Sequence, residues 1–191
     1  MLALAPIRVT GPASQPVTLA EAKTLARIDS SDEDALVALL IDVATTYLDG
    51  WSGALGRAII TQTWRQDFSD FEQGLRLIVG PVQSITSIIY RNESNADVTL
   101  SSSLYTLLRD NRGAFVQFDP ETWPTVYDRP DAVRVTYVCG EAAAKADIKH
   151  LVCLLVGQWF AHREAVGQAN TRELEYAVKA LASKNQFGFM V

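Results

Sequence analysis

The stretch Pro16–Trp64 reads PVTLAEAKTLARIDSSDEDALVALLIDVATTYLDGWSGALGRAIITQTW, and it decides the fold. Two helix-start signals stand a dozen residues apart in it. Thr18 with Glu21 and Ser30 with Glu33 are capping boxes, in which hydroxyl and carboxylate satisfy orphan N–H groups reciprocally. They predict a short helix over 19–27 and a longer one over 32–49. Leu36, Leu39, Leu40, Val43, Tyr47 and Leu48 recur at helical spacing and predict the buried face of the longer helix. Asp32, Glu33 and Asp34 crowd its first turn, where the helix dipole favours negative charge. The simplest reading of that cluster is a solvated cap rather than a metal site. Gly50 suits the left-handed position that closes a helix.

After Gly50 the pattern changes from helical to alternating. Ile60, Trp64 and Phe68 share one side of an expected strand, and Thr61, Thr63 and Arg65 share the other. Further strands are expected over 75–79, stopped by Gly80-Pro81, and over 85–90, followed by a loop at 92–97. Residues 105–109 and 114–118 flank Asp110-Asn111-Arg112-Gly113, a sequence suited to a hairpin. Val133–Cys139 is the last alternating strand. Between 119 and 131, Pro120, Pro124 and Pro130 exclude a central strand and predict a long loop. A third helix is expected over 147–164, with an apolar stripe of Ile148, Leu151, Val152, Leu155 and Trp159. Gly167 ends it, and Asn170 with Glu173 opens a final short helix.

The resulting class is α+β: two N-terminal helices and a long C-terminal helix frame an inserted antiparallel β block, and an extended C-terminal tail follows. The expected division is an extended arm over 1–17, a helical bundle from 18–56 with 140–167, a β insertion over 57–139, and a tail over 168–191 that docks on a partner.

Composition limits function. The 191 residues, 48% hydrophobic and 20% charged, suffice for a globular core and exclude wholesale disorder. A net charge of −5, from 17 basic and 22 acidic residues, argues against a general grip on nucleic acid. No signal-peptide pattern and no apolar run of membrane-spanning length stand in the sequence, so a soluble protein made in the cytoplasm is expected. Cys139 and Cys153, the only cysteines, read as small buried hydrophobes.

Reactive constellations are missing. His150 and His162 fall twelve residues apart on one predicted helix, roughly 18 Å along its axis, so they do not share a small site. No phosphate-cradling glycine loop, dinucleotide fingerprint or paired-cysteine zinc spacing is present. Asp67, Asp70 and Glu72 flank a turn and are read as solvated. The expectation is no enzyme, no catalytic residue, no cofactor and no metal. The apolar end, Phe187-Gly188-Phe189-Met190-Val191, cannot cover itself. It either folds back on its own domain or docks into a partner groove, and docking is preferred.

An ordered series of these segments resembles the head–tail connector (adaptor) family of long-tailed bacteriophages and of phage-derived particles such as gene transfer agents. The segments are Pro16–Lys23, the 30–34 acidic hinge, Leu36–Gly50, Ala58–Trp64, Pro81–Ile88, Trp123-Pro124, Arg129–Tyr137, Asp147–Lys149 and Gln158–Phe160. They cover roughly residues 16–166. The resemblance implies a structural adaptor that forms a twelve-fold ring beneath the portal protein, extends the DNA channel and meets the next neck or tail component, a stopper or tail terminator. Double-stranded DNA would pass its lumen without specific binding. Apolar chemistry plus this family role makes Leu174, Val178, Leu181, Phe187, Phe189, Met190 and Val191 the expected portal contacts. Asp29, Asp32, Glu33 and Asp34, or the 67–72 acidic cluster, are the expected channel lining, because an acidic wall lets a duplex slide. Two alternatives stand beside this: a tail-side stopper or completion protein, and a small enzyme or ligand-binding domain using the 119–131 loop as a pocket rim.

Overall fold

The computed structural model describes residues 1–119, 123–161 and 183. Over its described residues the fold is α+β, in which three helices, Leu19–Ala26, Asp34–Leu48 and Ala146–Ala161, accompany two antiparallel sheets. Among the described residues the chain forms two compact units, one of residues 1–12 and 61–140, the other of residues 13–60 and 141–161.

The first unit contains β1 (Ile7–Thr10), β2 (Gln62–Phe68), β3 (Gly74–Leu77), β4 (Val82–Arg91), β5 (Asp97–Thr99), β6 (Tyr105–Asp110), β7 (Gly113–Phe118) and β8 (Val133–Cys139). A five-stranded sheet has the order β1-β2-β8-β4-β5, and a three-stranded sheet the order β3-β7-β6. Period-two alternation explains the centre. Val133, Val135, Tyr137 and Cys139 of β8 are buried, opposite Phe68, Gln66, Trp64 and Gln62 of β2. The intervening Arg134, Thr136 and Val138 are half-buried. β4 pairs with the other edge of β8, and register shifts between Val82 and Ser84 and between Ile85 and Ser87 interrupt its alternation. In the small sheet, Leu75 and Leu77 face Val116 and Ala114. Phe71 packs edge-on against Phe118 at 5.1 Å and Tyr90 at 5.8 Å between ring centroids. Buried Gln66 connects β2 to the chain following β3, its Oε1 accepting from the Ile78 N–H at 3.0 Å. The predicted hairpin is present: Asp110 pairs with Gly113. The Asp110 carboxylate accepts from the Arg112 N–H at 2.9 Å and from both Arg76 amino groups.

The second unit contains α1 (Leu19–Ala26), α2 (Asp34–Leu48) and α3 (Ala146–Ala161). Thr18 and Glu21 form the expected capping box. The second box does not form. Ser30 Oγ accepts from the Asp32 N–H at 3.1 Å, and the Asp34 N–H donates to Ser31 O. Local turns thus consume the hydroxyl, α2 starts two residues later than predicted, and Glu33 stands at the N-cap position without a side-chain capping bond to the helix. Asp34 instead pairs with Lys23 of α1 at 2.5 Å.

The predicted face of α2 is corrected in part: Leu48 is buried and Leu40 packs partly buried on the core, as expected. Val37, Ile41, Ala44 and Leu48 are buried, whereas Leu39, Val43 and Tyr47 are about half exposed. Between Leu36 and Leu48 the one charged residue is Asp42, so two apolar rows about 100° apart satisfy the same spacing, and packing against α1 and α3 selects between them. The α3 stripe is as expected, with Ile148, Leu151, Val152 and Leu155 buried and Trp159 partly so.

The loop after α2 folds back on its C-terminal turn. The Ala54 and Leu55 N–H groups donate to Tyr47 O and Leu48 O, and the Gly50 N–H to Arg57 O at 2.7 Å. Gly50 has φ 87°, the left-handed value the sequence suggests for it. Gly53 is pressed so closely on the helix end that a Cβ there would lie 2.4 Å from Asp49 O. Only glycine fits that contact.

Candidate functional site

The acidic hinge is built on the joint between α1 and α2. Buried Ile28 fixes the chain on the core, and the segment then turns outward, leaving Asp29, Ser30, Ser31 and Asp32 exposed. Glu33 and Asp34 are half-buried. Asp29 and Asp34 line an open groove of about 700 Å³ with Leu19, Lys23, Arg27 and Ile28. Asp32 and Glu33 do not line it. Two cations beside two carboxylates make this groove a mixed-charge surface.

Charges around the joint are fixed by partners. The Glu21 carboxylate accepts from the Thr18 N–H and from Lys149 Nζ, each at 2.7 Å. The Lys149 ammonium, then the Thr18 N–H, pull its pKa down to about 2. A proton donor at neutral pH needs the opposite shift. Arg57 pairs with Glu141 at 2.6 Å, and the Asp49 carboxylate accepts from the Ile59 N–H at 2.7 Å in a buried setting. These are structural bonds that close the helical unit.

The 67–72 carboxylates do not act as one patch. Asp67 is buried and bidentate with Arg65, at 2.9 and 3.0 Å, which corrects the expectation that it is solvated. Asp70 accepts from the Phe71 N–H at 2.7 Å. Glu72 lies 3.7 Å from the N-terminal amine of Met1. The loop after β7 contributes Pro124 and Thr125 to a shallow recess of about 300 Å³ with Tyr90, Asn92, Glu93 and Ser94. The expected portal contacts Leu174, Val178, Leu181, Phe187, Phe189, Met190 and Val191 lie outside the described residues.

Two surfaces escaped the sequence reading. One is the exposed row of α2; its signal was present, as a helix apolar on more than one face. The other is β1, whose four residues are all exposed at the sheet edge. Four residues within a proline-flanked arm give too short an alternation to identify such a strand. Among the described residues no group of three or more His, Cys, Asp or Glu side chains is placed to hold a metal ion. None of their helices is long and apolar enough to cross a membrane.

The model of the phage gp6-like head-tail connector protein family matches residues 16–119, more than half of the chain, and the chain belongs to that family. No curated protein sequence matches it. Solved structures with a similar fold include chains from gene transfer agent particles. A chain in the neck of an empty particle, computed with C6 symmetry, has a TM-score of 0.78 at 18% identity, over 98% of each chain. A chain in the virion of the native particle has 0.76 at 18% identity, over 98% of this chain and 97% of that one. A chain in the native neck, computed with C12 symmetry, has 0.69 at 14% identity, over 98% of each.

Proposed function

We propose that this connector-family chain is the portal-side head–tail adaptor of a phage or phage-derived particle. In this reading twelve copies form a ring beneath the portal, continue its channel and present a surface to the next neck component. The observation that carries it is the family match over residues 16–119. The likeness in fold to chains from symmetric particle necks supports a ring. Heterologous contacts between copies close such a ring when the rotation between subunits divides a full turn.

The apolar tail, with Leu174, Val178, Leu181, Phe187, Phe189, Met190 and Val191, is the portal anchor in this reading. Asp29, Asp32, Glu33 and Asp34 face the lumen, where a duplex slides past like charge without specific binding. The chain is made in the bacterial cytoplasm, where the particle is assembled, and it carries out no chemistry.

Deleting residues 187–191 tests the anchor. Particles carrying the deletion are expected to fill with DNA and accumulate as tailless heads in electron micrographs. Tailed particles at the wild-type frequency would reject the proposed docking.

A further inference from the structure

Among the described residues, six buried side-chain atoms have no hydrogen-bond partner within the chain. Three are the Nε atoms of Arg57, Arg91 and Arg134, whose guanidinium groups are held through other nitrogens. One is the Thr45 hydroxyl on α2. The other two, Gln66 Nε2 and the Tyr137 hydroxyl, belong to residues that are each 0% exposed, and they stand together.

Strand register brings the pair together. Gln66 lies opposite Val135, and Trp64 opposite Tyr137, so Gln66 and Tyr137 are diagonal neighbours on the buried face of the large sheet. Their polar ends reach the same short stretch of chain. Gln66 Oε1 accepts from the Ile78 N–H at 3.0 Å, and the Val79 N–H acts on the Tyr137 oxygen without completing a hydrogen bond. The Ile78 donor also orients the amide: its oxygen faces the backbone, and the NH2 group is the end left over.

The side chains buried beside them on β2 and β8 serve neither group. Phe68, Val133 and Val135 are apolar, and the Trp64 indole N–H already donates to Gln62 Oε1 at 3.0 Å. Asp67 alternates to the opposite face of β2 and is bidentate with Arg65. Burial raises the Tyr137 pKa above its ordinary value, so the phenol keeps its proton at neutral pH. Both groups are therefore neutral, and an ion placed between them would meet no opposite charge. A water molecule suits them: it accepts from the amide and exchanges a second bond with the phenol. We propose that Gln66 and Tyr137 hold a resident water molecule on the buried face of the large sheet, beside the chain that leaves β3. The bound water extends the tie between β2 and Ile78 to β8, and it needs no second copy of the chain.

The test compares the full-length wild type with Tyr137→Phe, which deletes one hydroxyl and leaves the ring in place. In a crystal structure of the wild type that shows ordered solvent, a water is expected within about 2.5–3.2 Å of both Gln66 Nε2 and Tyr137 Oη. In urea denaturation, Tyr137→Phe is expected to lower the folding equilibrium constant about two- to tenfold, the loss of one buried hydrogen bond. The sign of that change decides. A hydroxyl with no partner carries only a desolvation cost, so deleting it would raise the constant instead. A constant that rises or does not change, or a wild-type interior in which no solvent peak meets both atoms, overturns the proposal. The crystal structure reads the wild type alone, so it decides even where the variant fails to fold.

Discussion

Asp49 illustrates how single side chains hold this fold. Its carboxylate accepts from the buried Ile59 N–H, tying the end of α2 to the chain that leaves for the sheets. Removing an acceptor from a buried donor costs the donor's desolvation as well as the bond, about 1–3 kcal/mol. Asp49→Ala is therefore expected to lower the unfolding free energy by about that amount, with Asp49→Asn losing less because an amide oxygen remains. Urea denaturation of both variants checks this, and equal losses would show that the charge rather than the acceptor matters. Such a partner is invisible in sequence: Asp49 reads there as a helix-end polar residue, and nothing nearby announces the Ile59 N–H ten positions on.

At the scale of elements, α1 depends on Glu21, which closes the capping box and meets Lys149 of α3. Its pKa falls from an ordinary 4.5 to about 2, first through Lys149 and then through the Thr18 N–H. A carboxyl with a lowered folded value adds stability above its unfolded pKa and loses it as pH falls through the folded one. Stability should thus decline between about pH 4.5 and pH 2, and Glu21→Gln should flatten that part of the curve in melting experiments. A wild-type slope unchanged in the variant would remove Glu21 as the cause. The box was legible because it is local: four residues determine it. The 110–113 hairpin and the α3 stripe were legible for the same reason. The box expected at Ser30 failed because turns within the same five residues competed for its hydroxyl. The buried face of α2 failed because a helix with one charge in thirteen residues offers two apolar rows, and only partners distant in sequence choose. β1 and β5 were missed because three or four residues carry too little alternation, and their pairing lies with β2 and β4.

For the whole molecule, charge and surface set the expected behaviour. A net charge of −5 releases few counterions on approach to a duplex. In a mobility-shift assay the isolated protein is expected to leave double-stranded DNA unretarded at protein concentrations below about 100 μM in physiological salt, the weak end of nonspecific binding. Tight retardation would contradict a slippery channel wall. Family and fold class were legible because the matching segments are spread through the chain in order, whereas the charges that surround the candidate lumen residues were not. Sequence lists Asp29 and Asp34 beside Asp32 and Glu33, but folding sets Lys23 and Arg27 into the same groove as the first two. The division of the chain has one more effect, on synthesis. Residues 61–140, eighty by subtraction, leave the ribosome after α1 and α2 and before α3. The sheets can close while translation continues, but Val37, Ile41 and Leu48 must wait for Leu151 and Leu155 to arrive. A nascent chain that has cleared the ribosome as far as Gly140 therefore has all the strands of its sheets but an uncovered helical pair, the kind of intermediate that calls on a chaperone.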